Sequence, residues 1–427
     1  MRVNLKFITL IASIVIALFF TACQNSNDTS ENIDNTGDIV DTKILNEVNA
    51  STNLAYIQAN IIPNALDAFA YKSIKIKYRT KDEQDNDVIA SGVLVYPEIT
   101  QAFSVPLVLD NHGTIFLNAE APSSAITTSG TGIQALATSM VGLAGFAVAF
   151  PDYLGYGDSS DKNHPYILKK SSAKVSIDML RAAKRYMTDH NIKNNGDIYI
   201  SGYSEGGYVA MATAKEIEAN YSDEFTVKAL AAMAGPYDLA GLADKEIEAT
   251  TNMEDPAFLA YLASSYSIAY DDIDLQDITV EQNTTKFNSL FDGNKNATQI
   301  HIALGLTNGN GYRSYRLNAL FQNSFINDYK NNINNSFKRH LEQNSVYDWK
   351  PNMKVNLIHC IDDEIIPISL AQTAYDKFIA NGDTNATITF TEIPSSALSQ
   401  PVTSTHAQCG NMAYRKAIKW FMKIRSE

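Results

Sequence analysis

Two alternating apolar runs between residues 74 and 96 flank the polar stretch 81–87. Alternation with a period of two predicts strands with one buried face, so this region predicts an antiparallel hairpin. Farther along, apolar strand-like runs alternate with stretches whose apolar residues recur at helical spacing. The predicted strands are 105–109, 146–150, 197–201, 227–234, 355–359 and 386–393. The predicted helices are 132–143, 172–188, 205–219, 369–380 and 412–424.

The order of these elements predicts an α/β fold. Short β-rich runs separated by helices favour a mostly parallel sheet that is flanked by helices on both faces. The alternation stops near residue 239 and resumes at residue 355, and the intervening segment is mostly helical in pattern. Elements on both sides are needed to complete one sheet. We therefore expect one domain over residues 46–427, with a helical cap inserted at residues 240–347.

Composition narrows the classes of partner. Hydrophobic residues make up 45% of the chain and charged residues 19%, which is typical of a globular protein rather than a disordered one. The formal net charge of −13 repels nucleic acid and gives no electrostatic attraction to anionic lipid. We therefore expect no nucleic-acid partner. Nothing in the pattern specifies an oligomeric state.

The N-terminal residues have the features of an export signal. Arg2 and Lys6 precede the apolar run 7–20, which is shorter than the roughly 18–20 residues that span a bilayer comfortably. Small residues then lead into Cys23, which resembles a bacterial lipobox. We expect a lipoprotein signal peptide at 1–22, lipidation at Cys23 and a flexible tether at 23–45. This predicts an exported lipoprotein, periplasmic or on the cell surface, held to the membrane by its lipid anchor only; ordinary secretion with an incidental cysteine is the alternative.

The sharpest motif is Gly202-Tyr-Ser204-Glu205-Gly206, which follows a predicted strand and begins a predicted helix. A serine hydroxyl is presented to a base most openly on a sharp strand-to-helix turn, and crowding at such a turn favours glycine two residues before and after it. Ser204 is therefore the candidate nucleophile. The backbone N–H of Glu205, at the helix N-terminus, is a candidate donor to an oxyanion. A glycine-rich turn with an ordinary serine is the alternative.

Candidates for the acid and the base follow later in the chain. Asp363 stands four residues before Pro367, which can begin the following helix, and it is preferred over Asp362 as the acid. Of the seven histidines, only His406 follows that acid, in a predicted loop before the last helix. The chain order Ser204, Asp363, His406 is that of a nucleophile, an orienting acid and a general base.

A second oxyanion donor is expected after the predicted strand 105–109, where the chain reads His112-Gly113-Thr114. Gly113 would allow the backbone to approach a substrate closely, so the N–H of Thr114 is the candidate donor. His112 precedes the nucleophile in the chain, and we interpret it as a residue that braces the loop rather than as a base.

Together these motifs resemble the α/β-hydrolase superfamily, and within it the bacterial secreted lipases and esterases. The resemblance rests on His112-Gly113, on Pro-Asp-Tyr-Leu-Gly-Tyr-Gly at 151–157, on the Ser204 motif, and on Asp363 and His406. It covers about residues 74–424 outside the cap. It implies an eight-stranded, mostly parallel sheet, with no metal and no organic cofactor.

Cys360 stands where such relatives commonly carry glycine, which suggests a local bridge to Cys409. The two cysteines each lie three residues from a member of the candidate triad, and an exported chain favours a disulfide. Two buried free thiols are the alternative.

The leading functional hypothesis is a serine hydrolase that cleaves small-molecule carboxylic esters through an acyl-enzyme. A serine aminopeptidase of the same fold and a non-catalytic binding lipoprotein are the alternatives, and the intact Ser204, Asp363 and His406 disfavour the latter. Apolar side chains recur at helical spacing at 256–262 and 317–321 in the cap. They would either line an acyl pocket or form the core of the cap.

Overall fold

A mixed, mostly parallel sheet of nine strands runs through the computed structural model, which describes residues 35–99, 103–248, 253–280, 286–306, 314–384 and 386–427. The strands of this sheet are β1 (Ile39–Val48), β2 (Tyr71–Lys81), β3 (Asp87–Pro97), β4 (Val105–Asn111), β5 (Ala147–Pro151), β6 (Asn194–Tyr203), β7 (Thr226–Met233), β10 (Lys354–Cys360) and β11 (Ile388–Ile393), while β8 (Met253–Glu254) and β9 (Ser314–Tyr315) form a separate pair. The order in the sheet is β1-β2-β3-β5-β4-β6-β7-β10-β11. Six neighbouring strands run parallel to one another: β5, β4, β6, β7, β10 and β11. The other three, β1, β2 and β3, pair antiparallel with their neighbours. The predicted hairpin and mostly parallel sheet are confirmed.

Strand β1 corrects two expectations. The tether was expected to extend to residue 45, but β1 begins at Ile39 and pairs antiparallel with β2. It also makes nine strands where the resemblance implied eight. The strand lies at the edge of the sheet, and apolar side chains such as Val40 and Ile44 are about half exposed. Because an edge strand is held by backbone hydrogen bonds, its composition can resemble that of a solvated linker.

Helices cover both faces of the sheet. They are α1 (Ala50–Asn60), α2 (Pro122–Ala125), α3 (Gly132–Ala137), α4 (Lys169–Asp189), α5 (Glu205–Asn220), α6 (Leu239–Glu248), α7 (Ala257–Ala269), α8 (Leu275–Ile278), α9 (Phe287–Leu290), α10 (Ala297–Ala303), α11 (Asn323–Asn331), α12 (Ser336–Asn344), α13 (Ser369–Ala380) and α14 (Thr405–Arg425). Leu107 and Leu109 of β4 belong to the core that contains α4, α5 and α13. Val108 belongs to the opposite core, with α14. Alternate residues of one strand thus face opposite layers, as expected for a buried parallel sheet.

The cap segment, residues 239–344, lies between β7 and β10 in the chain. It contains α6 to α12 and the short β8–β9 pair. Its buried aromatic residues, among them Tyr261, Tyr266 and Phe287, belong to the same core as α4 and α5. Its first helix begins at Leu239 and its last helix ends at Asn344, close to the bounds of the insertion predicted at 240–347.

The predicted signal peptide, the lipidation residue Cys23 and the first part of the tether lie outside the described residues. Over the ranges that are described, no helix combines the length and the apolar character needed to cross a bilayer.

Candidate active site

Ser204 occupies the sharp turn between β6 and α5, with φ 60° and ψ −125°. Such a backbone conformation costs a non-glycine residue on the order of 1–3 kcal/mol. A Cβ atom at Gly206 would lie 1.9 Å from the carbonyl oxygen of Asn111, and one at Gly202 would lie 2.1 Å from that of Gly206. Only glycine therefore fits at both positions, and the turn exposes the serine hydroxyl at the end of the strand.

The three candidate catalytic side chains form a continuous line of hydrogen bonds. Nε2 of His406 lies 2.9 Å from Oγ of Ser204, and Nδ1 of His406 lies 2.7 Å from Oδ2 of Asp363. An ionised carboxylate can only accept, so Nδ1 carries the proton that it donates to Asp363. Nε2 is then free to accept the proton of the Ser204 hydroxyl. The arrangement is that of a nucleophile, a base and an orienting acid.

Asp363 and its neighbour Asp362 have different surroundings. The side chain of Asp363 is inaccessible to solvent, and its Oδ1 accepts hydrogen bonds from the backbone N–H groups of Ile365 and Ile366. Burial alone would raise the pKa of Asp363, but its contacts with His359 and His406 outweigh that cost and hold the pKa below its ordinary value. Asp362 is exposed and accepts a hydrogen bond from Ser395 instead.

The position of His406 differs from the expected loop. It is the second residue of α14, which begins at Thr405 rather than near residue 412. Ser404 caps this helix by accepting a hydrogen bond from the N–H of Ala407. Gly410 lies within the first turns, and glycine is a poor helix former, so the apolar pattern alone starts the helix too late.

Two residues that sequence reasoning missed support His406. Glu364 accepts hydrogen bonds from the Ser404 hydroxyl and, at 3.2 Å, from the backbone N–H of His406. Tyr203 donates its hydroxyl proton to the carbonyl oxygen of His406 at 2.7 Å, and its ring lies 5.2 Å from the imidazole. Serine is a strong helix-capping residue, so Ser404 was the one available signal that the helix begins here.

A disulfide joins Cys360, the last residue of β10, to Cys409 in the second turn of α14. Both residues are completely buried. Cys360 lies three residues before Asp363 in the chain, and Cys409 lies three residues after His406. It therefore connects the two segments that carry the acid and the base.

The candidate oxyanion donors lie on either side of the serine. A Cβ atom at Gly113 would be 3.6 Å from Cβ of Ser204, so the Gly113-Thr114 backbone passes close to the nucleophile. Glu205 is the first residue of α5. Within the described residues, neither the N–H of Thr114 nor that of Glu205 has a hydrogen-bond acceptor. His112 stacks on Tyr153 at 4.0 Å between ring centroids, and burial lowers its pKa.

A family model described as secretory lipase matches residues 120–423, which is well over half of the chain and contains all three candidate triad residues. The chain belongs to the secretory lipase family. The rice cell wall degrading esterase LipA from Xanthomonas oryzae has the same fold at 24% identity, covering 92% of this chain and 98% of that chain with a TM-score of 0.75. Candida antarctica lipase A is 15% identical, covering 89% of this chain and 82% of that chain with a TM-score of 0.59. A search of curated proteins gave no match.

The expected α/β-hydrolase fold is confirmed by these structures. In this member of the secretory lipase family, aromatic rings of the cap segment pack against Phe116, two residues after Thr114. The ring of Phe116 lies 5.9 Å from that of Phe258 and 5.8 Å from that of Tyr261. Tyr261 is buried in the core, whereas Phe258 is only half-buried. The apolar stripe at 256–262 is therefore mixed: part of it forms core, and part remains partly exposed beside the candidate site.

The second stripe, at 317–321, is more deeply placed. Leu320 is completely buried and Phe321 nearly so. For these two residues the structure favours the interpretation as cap core over the interpretation as pocket lining.

A groove begins beside the candidate active site and follows one side of α14. Its cavity volume is about 1240 Å³, and it is bordered by Thr114, by Tyr203, which precedes the serine, and by Ala407, which follows the histidine. Farther along, Ile418 and Met422 line it. The groove thus offers mostly apolar space bordered by the chain neighbours of the candidate catalytic serine and histidine.

Proposed function

We propose that this member of the secretory lipase family hydrolyses carboxylic esters through an acyl-enzyme on Ser204. The observation that carries the proposal is the continuous contact from Ser204 Oγ through the His406 ring to Asp363, on a turn that exposes the hydroxyl. Substituting any one of these three residues should therefore lower kcat rather than weaken substrate binding alone.

The geometry supports a two-step reaction. His406 Nε2 accepts the proton of Ser204 as the serine oxygen attacks the ester carbonyl. The developing oxyanion then lies between the N–H groups of Thr114 and Glu205, and the N-terminal end of α5 adds a favourable partial charge. His406 returns the proton to the leaving alkoxide, and water repeats the sequence to release the acid and restore the serine.

Esters are favoured over peptides as substrates by the surroundings of the site. The half-buried rings of Phe116 and Phe258 and the groove along α14 are apolar, which suits the hydrocarbon parts of an ester. An aminopeptidase would need a carboxylate free to hold the substrate amine. One carboxylate of the cap segment, Asp255, lies 3.1 Å from the ring of His301 and is therefore not free for that role.

The proposed function is tested by a panel of p-nitrophenyl esters from acetate to decanoate beside alanyl and prolyl anilides. We expect a higher kcat/KM on at least one ester than on either anilide, and loss of both activities in Ser204→Ala. Anilides cleaved with higher kcat/KM than every ester, despite the better leaving group of the esters, would favour the peptidase. A wild-type protein inactive on all of them would favour the binding lipoprotein.

We also propose that Cys23 carries lipid and is the membrane anchor of the exported protein. The sequence order of basic residues, apolar run and cysteine supports this, and residues after Cys23 would separate the anchor from β1. Mass analysis of the N-terminal peptide should show an acylated Cys23, and Cys23→Ser should move the protein out of the membrane fraction. A mature N-terminus elsewhere without acyl mass would indicate simple secretion.

A further inference from the structure

The loop between β5 and α4, residues 152–168, makes four side-chain contacts around the proposed oxyanion site. Its four contacts are Tyr153 Oη to the carbonyl oxygen of His112 (3.0 Å), Tyr156 Oη to that of Ile115 (2.5 Å), Tyr166 Oη to Thr114 Oγ1 (3.1 Å) and His164 Nε2 to Glu205 Oε1 (2.8 Å). Three of them brace the segment that carries Thr114, and the fourth reaches Glu205 directly. Both candidate oxyanion donors are therefore connected to the same loop.

The contact between His164 and Glu205 is buried, since the two residues are 5% and 3% exposed. The carbonyl oxygen of Leu154 can only accept, so Nδ1 of His164 is protonated and donates to it at 2.8 Å. The 2.8 Å separation of Nε2 and Oε1 requires a second proton between the ring and the carboxyl group. With that proton on either group, the pair has a net charge of zero.

This neutrality bears on the oxyanion. The backbone N–H of Glu205 is the proposed donor, so the side chain of the same residue lies close to where negative charge would develop. An unpaired carboxylate there would repel the oxyanion in a poorly solvated environment. Sharing a proton with His164 removes that repulsion and fixes the side chain of the residue whose N–H must point at the substrate.

The shape of the loop is set by a glycine. Gly155 has φ +88°, and a Cβ atom at that position would lie 2.5 Å from the backbone nitrogen of His164. The loop can therefore fold back closely on itself, which brings His164 under the ring of Tyr156 at 5.1 Å between centroids. A side chain at position 155 would push His164 away from Glu205.

We propose that His164 is a positioning residue for the oxyanion site, acting through its buried contact with Glu205. The inference rests on the proposed serine-hydrolase function. A preorganised donor stabilises the transition state more than the bound substrate, so weakening its support should lower kcat more than it changes KM.

A matched pair of variants at one position isolates the contact. In His164→Asn the amide can replace Nδ1 and keep the bond to Leu154 but cannot reach Glu205. In His164→Gln the longer amide can replace Nε2 and keep the contact with Glu205, whose carboxyl group then keeps the pair neutral by carrying the proton itself. We expect His164→Asn to lower kcat by about 10- to 100-fold, less than the loss of a whole oxyanion donor, and His164→Gln to retain most of the wild-type kcat.

Glu205 provides the reciprocal pair. Glu205→Gln can donate its amide proton to a neutral Nε2 and should therefore lose much less kcat than Glu205→Ala, which should resemble His164→Asn. The double variant His164→Asn/Glu205→Ala should be no worse than the poorer single variant, because both remove the same contact.

The readout that separates positioning from general damage is inhibition by an alkyl trifluoromethyl ketone. Ser204 adds to its carbonyl, the serine proton passes to His406, and the resulting oxyanion occupies the same site as in the reaction. The inhibition constant should rise by about the factor by which kcat/KM falls, with rates normalised to active sites counted by a fluorophosphonate.

His301→Asn is the control, because His301 is a buried histidine in the cap segment that also pairs with a carboxylate. It should leave the ratio of inhibition constant to KM unchanged. Equal effects of His164→Asn and His164→Gln, or an unchanged inhibition constant in His164→Asn, would overturn the inference. A wild-type protein that neither cleaves esters nor reacts with the fluorophosphonate would overturn the proposed function instead.

Discussion

The two halves of the candidate active site are held together by different kinds of contact. On the nucleophile side, Ser204 is fixed by steric constraint at Gly202 and Gly206, and Glu205 is anchored by the buried His164. On the acid–base side, the segment that carries His406 is held by a disulfide, by the hydroxyl of Tyr203 and by the solvent-exposed Glu364.

This difference has consequences for how each half should respond to change. A buried polar contact has no water to replace it, so its loss leaves an unsatisfied group. An exposed contact can be exchanged for water at little cost. We therefore expect substitutions on the nucleophile side to be costly one by one, whereas the acid–base side should depend mainly on Asp363 itself and on the covalent link.

The largest effect should come from the nucleophile. Ser204→Ala should lower kcat on a p-nitrophenyl ester by roughly 10⁵- to 10⁶-fold and abolish labelling by a fluorophosphonate, because the proposed acyl-enzyme forms on the hydroxyl that this variant lacks. Intact-mass analysis measures the label directly. Ser124→Ala, at an exposed serine of α2, should label like wild type. Labelling of Ser204→Ala to the wild-type level would show that another residue is the nucleophile.

The nucleophile side was also the more predictable from sequence, and the reason is steric. The turn at Ser204 requires glycine at fixed offsets, and β6 and α5 have clear strand and helix periodicity on either side. On the acid–base side, Asp363 and His406 were predicted in the chain order of an acid and a base, and the structure brings them into contact. The start of α14 was misplaced, because Gly410 and the small residues around it interrupt the helical pattern.

Other features lie beyond what local pattern can predict. The contacts of Glu364 with His406 and of His164 with Glu205 join residues 42 and 41 positions apart, so no short motif signals them. Strand β1 escaped prediction because its stability comes from backbone pairing with β2 rather than from buried side chains.

The second largest effect should come from the acid. Asp363→Asn should lower kcat by roughly 10⁴-fold, because His406 then loses the partner that fixes its tautomer and orientation. Asp362→Asn should stay within about threefold of wild type, since exposed carboxylates contribute little. Steady-state kinetics of the two variants on one ester makes the comparison. Equal losses, or a greater loss at Asp362, would assign the acid to the neighbouring residue.

The effect of Asp363→Asn on the free energy of unfolding should also depend on pH. The pKa of Asp363 is held below its ordinary value, so ionised Asp363 stabilises the folded state above the unfolded pKa of about 3.9, and this contribution disappears as the pH falls through the folded pKa. The difference in unfolding free energy between wild type and Asp363→Asn should therefore shrink as the pH falls from about 4 towards about 2. Denaturant titrations across this range measure it, and a difference that grows over the same range would contradict the assignment.

The disulfide should contribute the next largest effect, and it acts on stability. Because it closes a loop of 49 residues, Cys360→Ser/Cys409→Ser should lower the free energy of unfolding by about 4 kcal/mol through the entropy of the unfolded chain. The reductant dithiothreitol should destabilise the wild type and leave the double variant unchanged. Thiol titration of the unreduced, unfolded protein should find neither cysteine free; two free thiols would refute the bridge.

The smallest effect should be at Glu364, and it sharpens the contrast between the two halves. Glu364→Gln keeps one oxygen that can accept from Ser404 or from the His406 N–H, and water can reach the other donor. We expect kcat to fall by only about two- to fivefold, in line with the modest net value of an exposed hydrogen bond. Glu342→Gln, at an exposed glutamate of α12, is the control for loss of a surface charge and should match wild type. Under identical conditions His164→Asn should lower kcat more than Glu364→Gln does, although neither residue is proposed to react with the substrate. The reverse order would mean that the helix carrying His406, and not the buried support of Glu205, limits how well the site is organised.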